Sequence, residues 1–175
     1  MPQHNPLLTI RPEYPHEVLA IRQVHSEAFG RPNEADLVDA LRRAETLTIS
    51  LVAVQDGHIR GHIAFSPVTI TSDTATIAAI GLGPMGVLPA YQRHGMGSQL
   101  IAAGLQACRH TPYGLVVVLG HPTYYPRFGF VPAKPYGIVW ERDVPDDVFM
   151  VQELQAGALA QTQGVVKYHP EFDHV

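Results

Sequence analysis

The 175-residue sequence predicts an α/β chain organised on one mixed sheet, and three observations carry that prediction. Apolar spacing switches repeatedly between a helical period and a strand period, with turn residues at the switches. Leu115–Leu119 is wholly apolar and short, as in a strand buried on both faces. The resulting order, β-α-α-β-β-β-α-β-α-β-β, fits a sheet with helices packed on it.

Leu8–Arg11 reads as the first strand. Over Glu17–Phe29 the apolar residues Val18, Ile21, Val24 and Ala28 recur at helical spacing, and Gly30 stands where a helix stops. Asn33 with Asp36 reads as an N-cap pair opening a second helix, whose apolar face is Leu37, Val38, Leu41 and Ala44. Thr48–Gln55 and Ile59–Ile70 are β-rich and flank the hairpin signal Asp56-Gly57. After a turn at Thr71–Thr74 comes a long apolar strand, Ala75–Val87, whose glycines and Pro84 predict a bulge or broken pairing. Ser98–Arg109 is helical, with Ile101, Leu105 and Cys108 on one face. Pro122–Phe128 reads as a short helix stopped by Gly129, and Phe130-Val131, Ile138–Trp140, Val148–Leu154 and Val165–Tyr168 as further strands.

This length suits one domain, 1–175, with no repeat or linker dividing it. A content of 46% hydrophobic and 16% charged residues is globular rather than disordered. A net charge of -4, with scattered Lys and Arg, argues against nucleic-acid binding. The polar start Met1–Pro6 lacks the apolar core of a signal peptide. The uncharged stretch Thr74–Gln92 holds too much Gly and Pro for a spanning helix, so no membrane association and a soluble, cytoplasmic chain are expected. Cys108 is the single cysteine; it excludes an intrachain disulfide and falls on the apolar face of its helix, as a core residue would.

The segment of most chemical interest joins the long strand to the third helix. Pro89 stops strand pairing, and Gly95 and Gly97 let a ligand approach the backbone. N–H groups here and in the first helical turn bear partial positive charge, which suits a pyrophosphate. Arg93 and His94 add donors at the rim. Each bond to a charged oxygen contributes about 1.5–3 kcal/mol, so several amides anchor a nucleotide without a lysine. No Gly-Lys-Ser/Thr triplet exists for a P-loop. A GxGxxG pattern at Gly81–Gly86 lies inside a strand, contains proline and precedes no helix, so it fails as a dinucleotide fingerprint.

The stretch Val87-Leu88-Pro89-Ala90-Tyr91-Gln92-Arg93-His94-Gly95-Met96-Gly97 resembles the acetyl-CoA motif of the GNAT superfamily of N-acetyltransferases, V-x-P-x-Y-Q/R-x-x-G-x-G/A, at every fixed position. Tyr124-Tyr125-Pro126-Arg127-Phe128-Gly129-Phe130 resembles the family's downstream Leu-Tyr-x-x-x-Gly-Phe segment. The run Gly120–Phe130 and the ending Val166–Phe172 are similar to the YhbS-like subgroup. The resemblance covers nearly the whole chain and implies a mostly antiparallel central sheet, helices on both faces and a splayed centre. It implies acetyl-CoA as cosubstrate, with Met85, Gly86 and Val87 along the pantetheine arm and Gln92, Arg93, His94, Gly95, Met96, Gly97 and Ser98 around the pyrophosphate. It places Tyr125 where the family's tyrosine protonates departing CoA. The implied acceptor is a small-molecule or peptide amine, and homodimers are frequent among the proteins resembled.

Direct attack in a ternary complex needs no enzyme nucleophile, but it needs a neutral amine. At an ordinary pKa near 10.4 the neutral form costs about 4.6 kcal/mol at pH 7, so a base or a desolvating site is expected. A thiol near 8.5 facing a tyrosine near 10 makes protonation by Tyr125 uphill by about 2 kcal/mol, so Tyr125 assists rather than decides. The strand Ala75–Val87 has no carboxylate, a departure from many relatives. Glu27, Glu34, His121 or a water relay are the candidates for the base. His58 and His62 share i, i+4 spacing but on a strand, so no metal site is expected. The alternatives are a non-catalytic acyl-CoA-binding module and, less favoured, a dinucleotide binder.

Overall fold

The computed structural model describes residues 7–175; the polar start Met1–Pro6 lies outside them. β1 (Leu8–Pro12) leads to α1 (Val18–Phe29) and α2 (Asn33–Arg43), then to β2 (Ile49–Gln55), β3 (His58–Thr71) and β4 (Thr76–Val87). After α3 (Met96–Cys108) come β5 (Leu115–Leu119), β6 (Val131–Pro132), β7 (Ile138–Trp140), β8 (Phe149–Glu153) and β9 (Gly164–Lys167). No helix among the described residues is long and apolar enough to cross a membrane.

The strands form one nine-stranded sheet in the order β1-β2-β3-β4-β5-β8-β6, with β9 pairing the end of β3 and β7 pairing β9. Pairing is antiparallel except for β4–β5 and β7–β9. The parallel step follows from connectivity, since α3 carries the chain across the sheet between β4 and β5. The β2–β3 hairpin turns at Asp56 and Gly57, both left-handed (φ 52 and 76), as the Asp-Gly signal requires.

Helices cover both faces. On one, α3 lays Leu100, Ile101, Leu105 and Cys108 over Ala53, Ile63, Phe65, Ile80 and Val116. Contact is close because Gly104 has no side chain; a Cβ there would lie 2.4 Å from the Phe65 ring. On the other, Ile21 of α1 and Val38 of α2 pack on Val52 and Ala64.

The centre of the sheet is open. β4 and β5 pair only from Ile80–Leu82 to Val116–Val118. On its other side β4 bulges: Ile63 pairs Met85 and Phe65 pairs Leu82, so Gly83 and Pro84 face Ala64 alone. Gly83 takes φ 143, a conformation side chains rarely adopt. This is the interruption that the glycines and Pro84 predict.

Three expectations need correction. α3 starts at Met96, two residues before Ser98, because left-handed Gly95 (φ 86) already turns the chain into the helix. The helix expected over Pro122–Phe128 is a single 3-10 turn, Tyr125–Phe128, stopped by left-handed Gly129. Asn33 does not cap α2; its amide donates to the His174 carbonyl while Asp36 pairs with Arg22, so both side chains serve tertiary contacts.

Candidate active site

The opening between β4 and β5 holds two cavities. The first, about 520 Å³, is lined by Met85, Gly86, Val87, Gln92, Arg93, Gly95, Gly97 and Ser98, together with Ala28, Phe29, Tyr124 and Arg127. Eight of the ten residues expected around the cosubstrate therefore share one wall. His94 and Met96 line a different cavity beside Leu8 and Gln99, so only their backbone is available to the first. The second cavity, about 550 Å³, is reached past Phe29, Met85 and Tyr124, which line both. It is mostly apolar, with Pro84, Tyr125, Trp140, Tyr168 and Phe172 among its walls.

The loop takes its shape from the backbone. Arg93 (φ 64) and Gly95 (φ 86) are left-handed, and the Gln92 amide donates to the Val87 carbonyl at 2.9 Å, fastening the loop to the end of β4. Gln99 closes the first helical bond onto Gly95, leaving the N–H groups of Met96, Gly97 and Ser98 without intrahelical acceptors. A helix N-terminus next to glycines is an anion site by its dipole and free donors together. Tyr124 packs over it; its hydroxyl lies 3.4 Å from Ser98 Oγ and 3.2 Å from where a Gly97 Cβ would be.

The two adjacent tyrosines divide between the cavities. Tyr124 lines both, whereas Tyr125 lines the second alone, buried edge-on against Phe130 and beneath Gly120. Burial pushes the Tyr125 phenol up to about 12 and raises Tyr168 still further. Of the carboxylate and histidine candidates, Glu34 and His121 line the second cavity. Glu34 is buried and held by Arg31. Glu27 is exposed, bonds Gln23 and lines neither cavity. Cys108 is buried at the core with its thiol pushed up to about 12, which excludes it as a nucleophile. Among the described residues no group of side chains could hold a metal ion, and the Gly81–Gly86 pattern lies within β4.

The fold also assembles a polar chain that spacing did not reveal. His25 of α1 and His62 of β3, both wholly buried, meet Nε2 to Nδ1 at 2.8 Å. His62 Nε2 lies 2.7 Å from Ser50 Oγ, which donates to Glu13 at 2.6 Å, and Glu13 accepts two bonds from Arg42. Spacing cannot show this chain because the partners of His62, on α1, on β2 and just after β1, lie 12 to 49 positions away in sequence. Trp140 Nε1 and the Tyr168 hydroxyl, buried without a partner, belong to the second cavity and were also missed.

Residues 9–133 match the acetyltransferase (GNAT) domain family. The chain is 34% identical over 167 residues to the uncharacterized N-acetyltransferase YhbS of Escherichia coli strain K12, covering 95% of this chain and 99% of that protein. The crystal structure of Escherichia coli YhbS in complex with CoA superposes with a TM-score of 0.91 at 32% identity, covering 99% of this chain and 96% of the other. A GNAT family acetyltransferase from Brucella melitensis, solved with acetyl-CoA, gives a TM-score of 0.78 at 40% identity over 95% of this chain and 99% of that one. With a matching domain, matching sequence over nearly all its length and a closely superposing fold, this chain belongs to the GNAT acetyltransferases.

Proposed function

We propose that the chain, as one acyltransferase domain over residues 1–175, moves an acetyl group from acetyl-CoA to a primary amine by direct attack in a ternary complex. The observation that carries this reading is the meeting of two cavities at Phe29, Met85 and Tyr124, in the gap between β4 and β5. The first takes the donor: Met85, Gly86 and Val87 lie along the pantetheine arm, and Gln92 to Ser98 hold the pyrophosphate through backbone N–H groups. Relatives solved with CoA and with acetyl-CoA support that assignment. The second takes the acceptor, whose apolar body rests on Trp140, Phe172 and Pro84.

Tyr125 serves the leaving group. With its phenol near 12 rather than 10, proton donation to a thiolate near 8.5 is uphill by about 5 kcal/mol, so Tyr125 helps mainly by hydrogen bonding to the developing charge. Glu34 and His121 remain as polar groups facing the acceptor.

The absence of any carboxylate on β4 favours a second reading, a module that binds acyl-CoA without turning it over. Calorimetry with acetyl-CoA and a thiol-release assay over an amine panel separate the two. The enzyme binds acetyl-CoA and releases thiol with at least one amine; the module binds it and never releases thiol. Failure to bind acetyl-CoA overturns both.

A further inference from the structure

His25 Nδ1 is a wholly buried nitrogen with no hydrogen-bond partner, and its position next to the donor cavity gives it a use. It lies 3.1 Å from the point a Gly86 Cβ would occupy, beside Ala28, and both residues line that cavity. The ring of Phe29, stacked on His25 at 6.1 Å and 42% exposed at the end of α1, also lines both cavities.

The hydrogen bonds decide what Nδ1 offers. Glu13, ionised and bridged to Arg42, can only accept, so Ser50 must donate to it. Having spent its one proton, Ser50 must accept from His62 Nε2–H. A neutral His62 then presents a lone pair at Nδ1, which accepts a hydrogen bond from His25 Nε2–H. His25 is left with a bare lone pair at Nδ1. Burial keeps both rings neutral, pushing His25 down to about 3 and holding His62 below its usual range. The charged groups along the chain are Glu13, Arg42 and Asp39. An unmade acceptor this deep costs stability unless a partner fills it.

We propose that His25 Nδ1 is a hydrogen-bond acceptor for a ligand N–H at the junction of the two cavities, with its tautomer locked by His62, Ser50 and Glu13. It rests on the acetyl-transfer reading for the identity of the ligands. The N–H belongs either to an amide of the pantetheine arm or to the acceptor amine, and the two are told apart by which constant moves. His25 binds and aligns; the proton stays on the ligand nitrogen.

Three variants test it, each required to unfold cooperatively like wild type. His25→Phe removes the acceptor, His25→Gln restores one through its amide oxygen while its N–H still serves His62, and Ser50→Ala keeps both rings but frees the tautomer. We expect His25→Phe to lose roughly tenfold or more, His25→Gln to recover most of it, and Ser50→Ala to fall between. Loss in the Kd of acetyl-CoA, read by calorimetry, assigns the N–H to pantetheine; loss in kcat/KM for the amine at unchanged Kd assigns it to the acceptor. Imidazole nitrogen NMR supplies a readout free of activity, with both rings expected as neutral Nε2–H tautomers at pH 7. His25 protonated at Nδ1, or both constants unchanged in His25→Phe, overturns the proposal. A wild type that binds acetyl-CoA but acetylates no amine overturns the transfer reading, and the NMR and Kd results then decide the His25 site by themselves.

Discussion

The two cavities that meet at Phe29 are built on opposite plans. Most of the first is one run of chain, from Met85 to Ser98, offering backbone groups and glycines. The second gathers side chains from α1, α2, β4, β5, β7 and the C-terminal segment, and its character comes from aromatic rings. A backbone site suits a ligand that never changes, whereas a side-chain site can be refitted to a new acceptor by substitution. The difference also explains why the first cavity is readable from sequence and the second is not.

The largest expected effect tests the donor side. Gly97→Val should place branched carbons against Tyr124 and in the pyrophosphate path, weakening acetyl-CoA about a hundredfold, or about 3 kcal/mol, the value of one or two charged hydrogen bonds. Calorimetry reads it, and an unchanged Kd would show that the loop does not hold the phosphates.

Behind the donor wall, the imidazole pair gives stability a pH dependence. His25 has a folded value near 3 against an ordinary 6.5, so the unfolded chain binds more protons between those limits and stability must fall as pH falls through that window. From pH 7 to pH 5 the loss is about 2 kcal/mol for His25, and His62 adds in the same direction. Glu13, held low against its burial by Arg42, Ser50 and the nearby His62, reinforces the trend below its ordinary range. Thermal unfolding at the two pH values checks this; His62→Gln should flatten the slope, and a pH-independent midpoint would refute it.

Two smaller effects separate catalysis from acceptor binding. Tyr125→Phe should slow turnover about tenfold with acetyl-CoA affinity unchanged, and equal turnover would remove Tyr125 from the mechanism. With its phenol at about 12, Tyr125 stays protonated up to about pH 11, so no alkaline loss of rate below pH 10 should trace to it. Trp140→Phe deletes a buried, unpartnered N–H from a side chain that lines the second cavity; the acceptor KM should move about threefold while acetyl-CoA binding does not. A change in acetyl-CoA binding alone would mean that the cavities are wrongly divided.

Legibility followed contiguity. The Asp56-Gly57 hairpin, the broken strand at Gly83-Pro84 and the cradle from Gln92 to Ser98 are local features whose chemistry is written in neighbouring residues. The compact motif singles out Tyr125, yet nothing local shows that Tyr124 lies against Ser98 while Tyr125 lines the second cavity with Tyr168. The Asn33 cap failed because Pro32 takes the capping position and Asn33 already lies inside the helix, its amide N–H reaching the distant carbonyl of His174. His25, His62 and Ser50 come from three separate elements and Glu13 from the segment after β1, and only the register of β2 on β3 with α1 above them brings the four together.

The central claim is a ternary complex at the junction of the two cavities, and initial rates of thiol release with acetyl-CoA and amine varied together test it most directly. The account predicts amine-dependent release with double-reciprocal lines that intersect. Parallel lines, which signal an acetylated enzyme, or no release with any amine in the panel would contradict it.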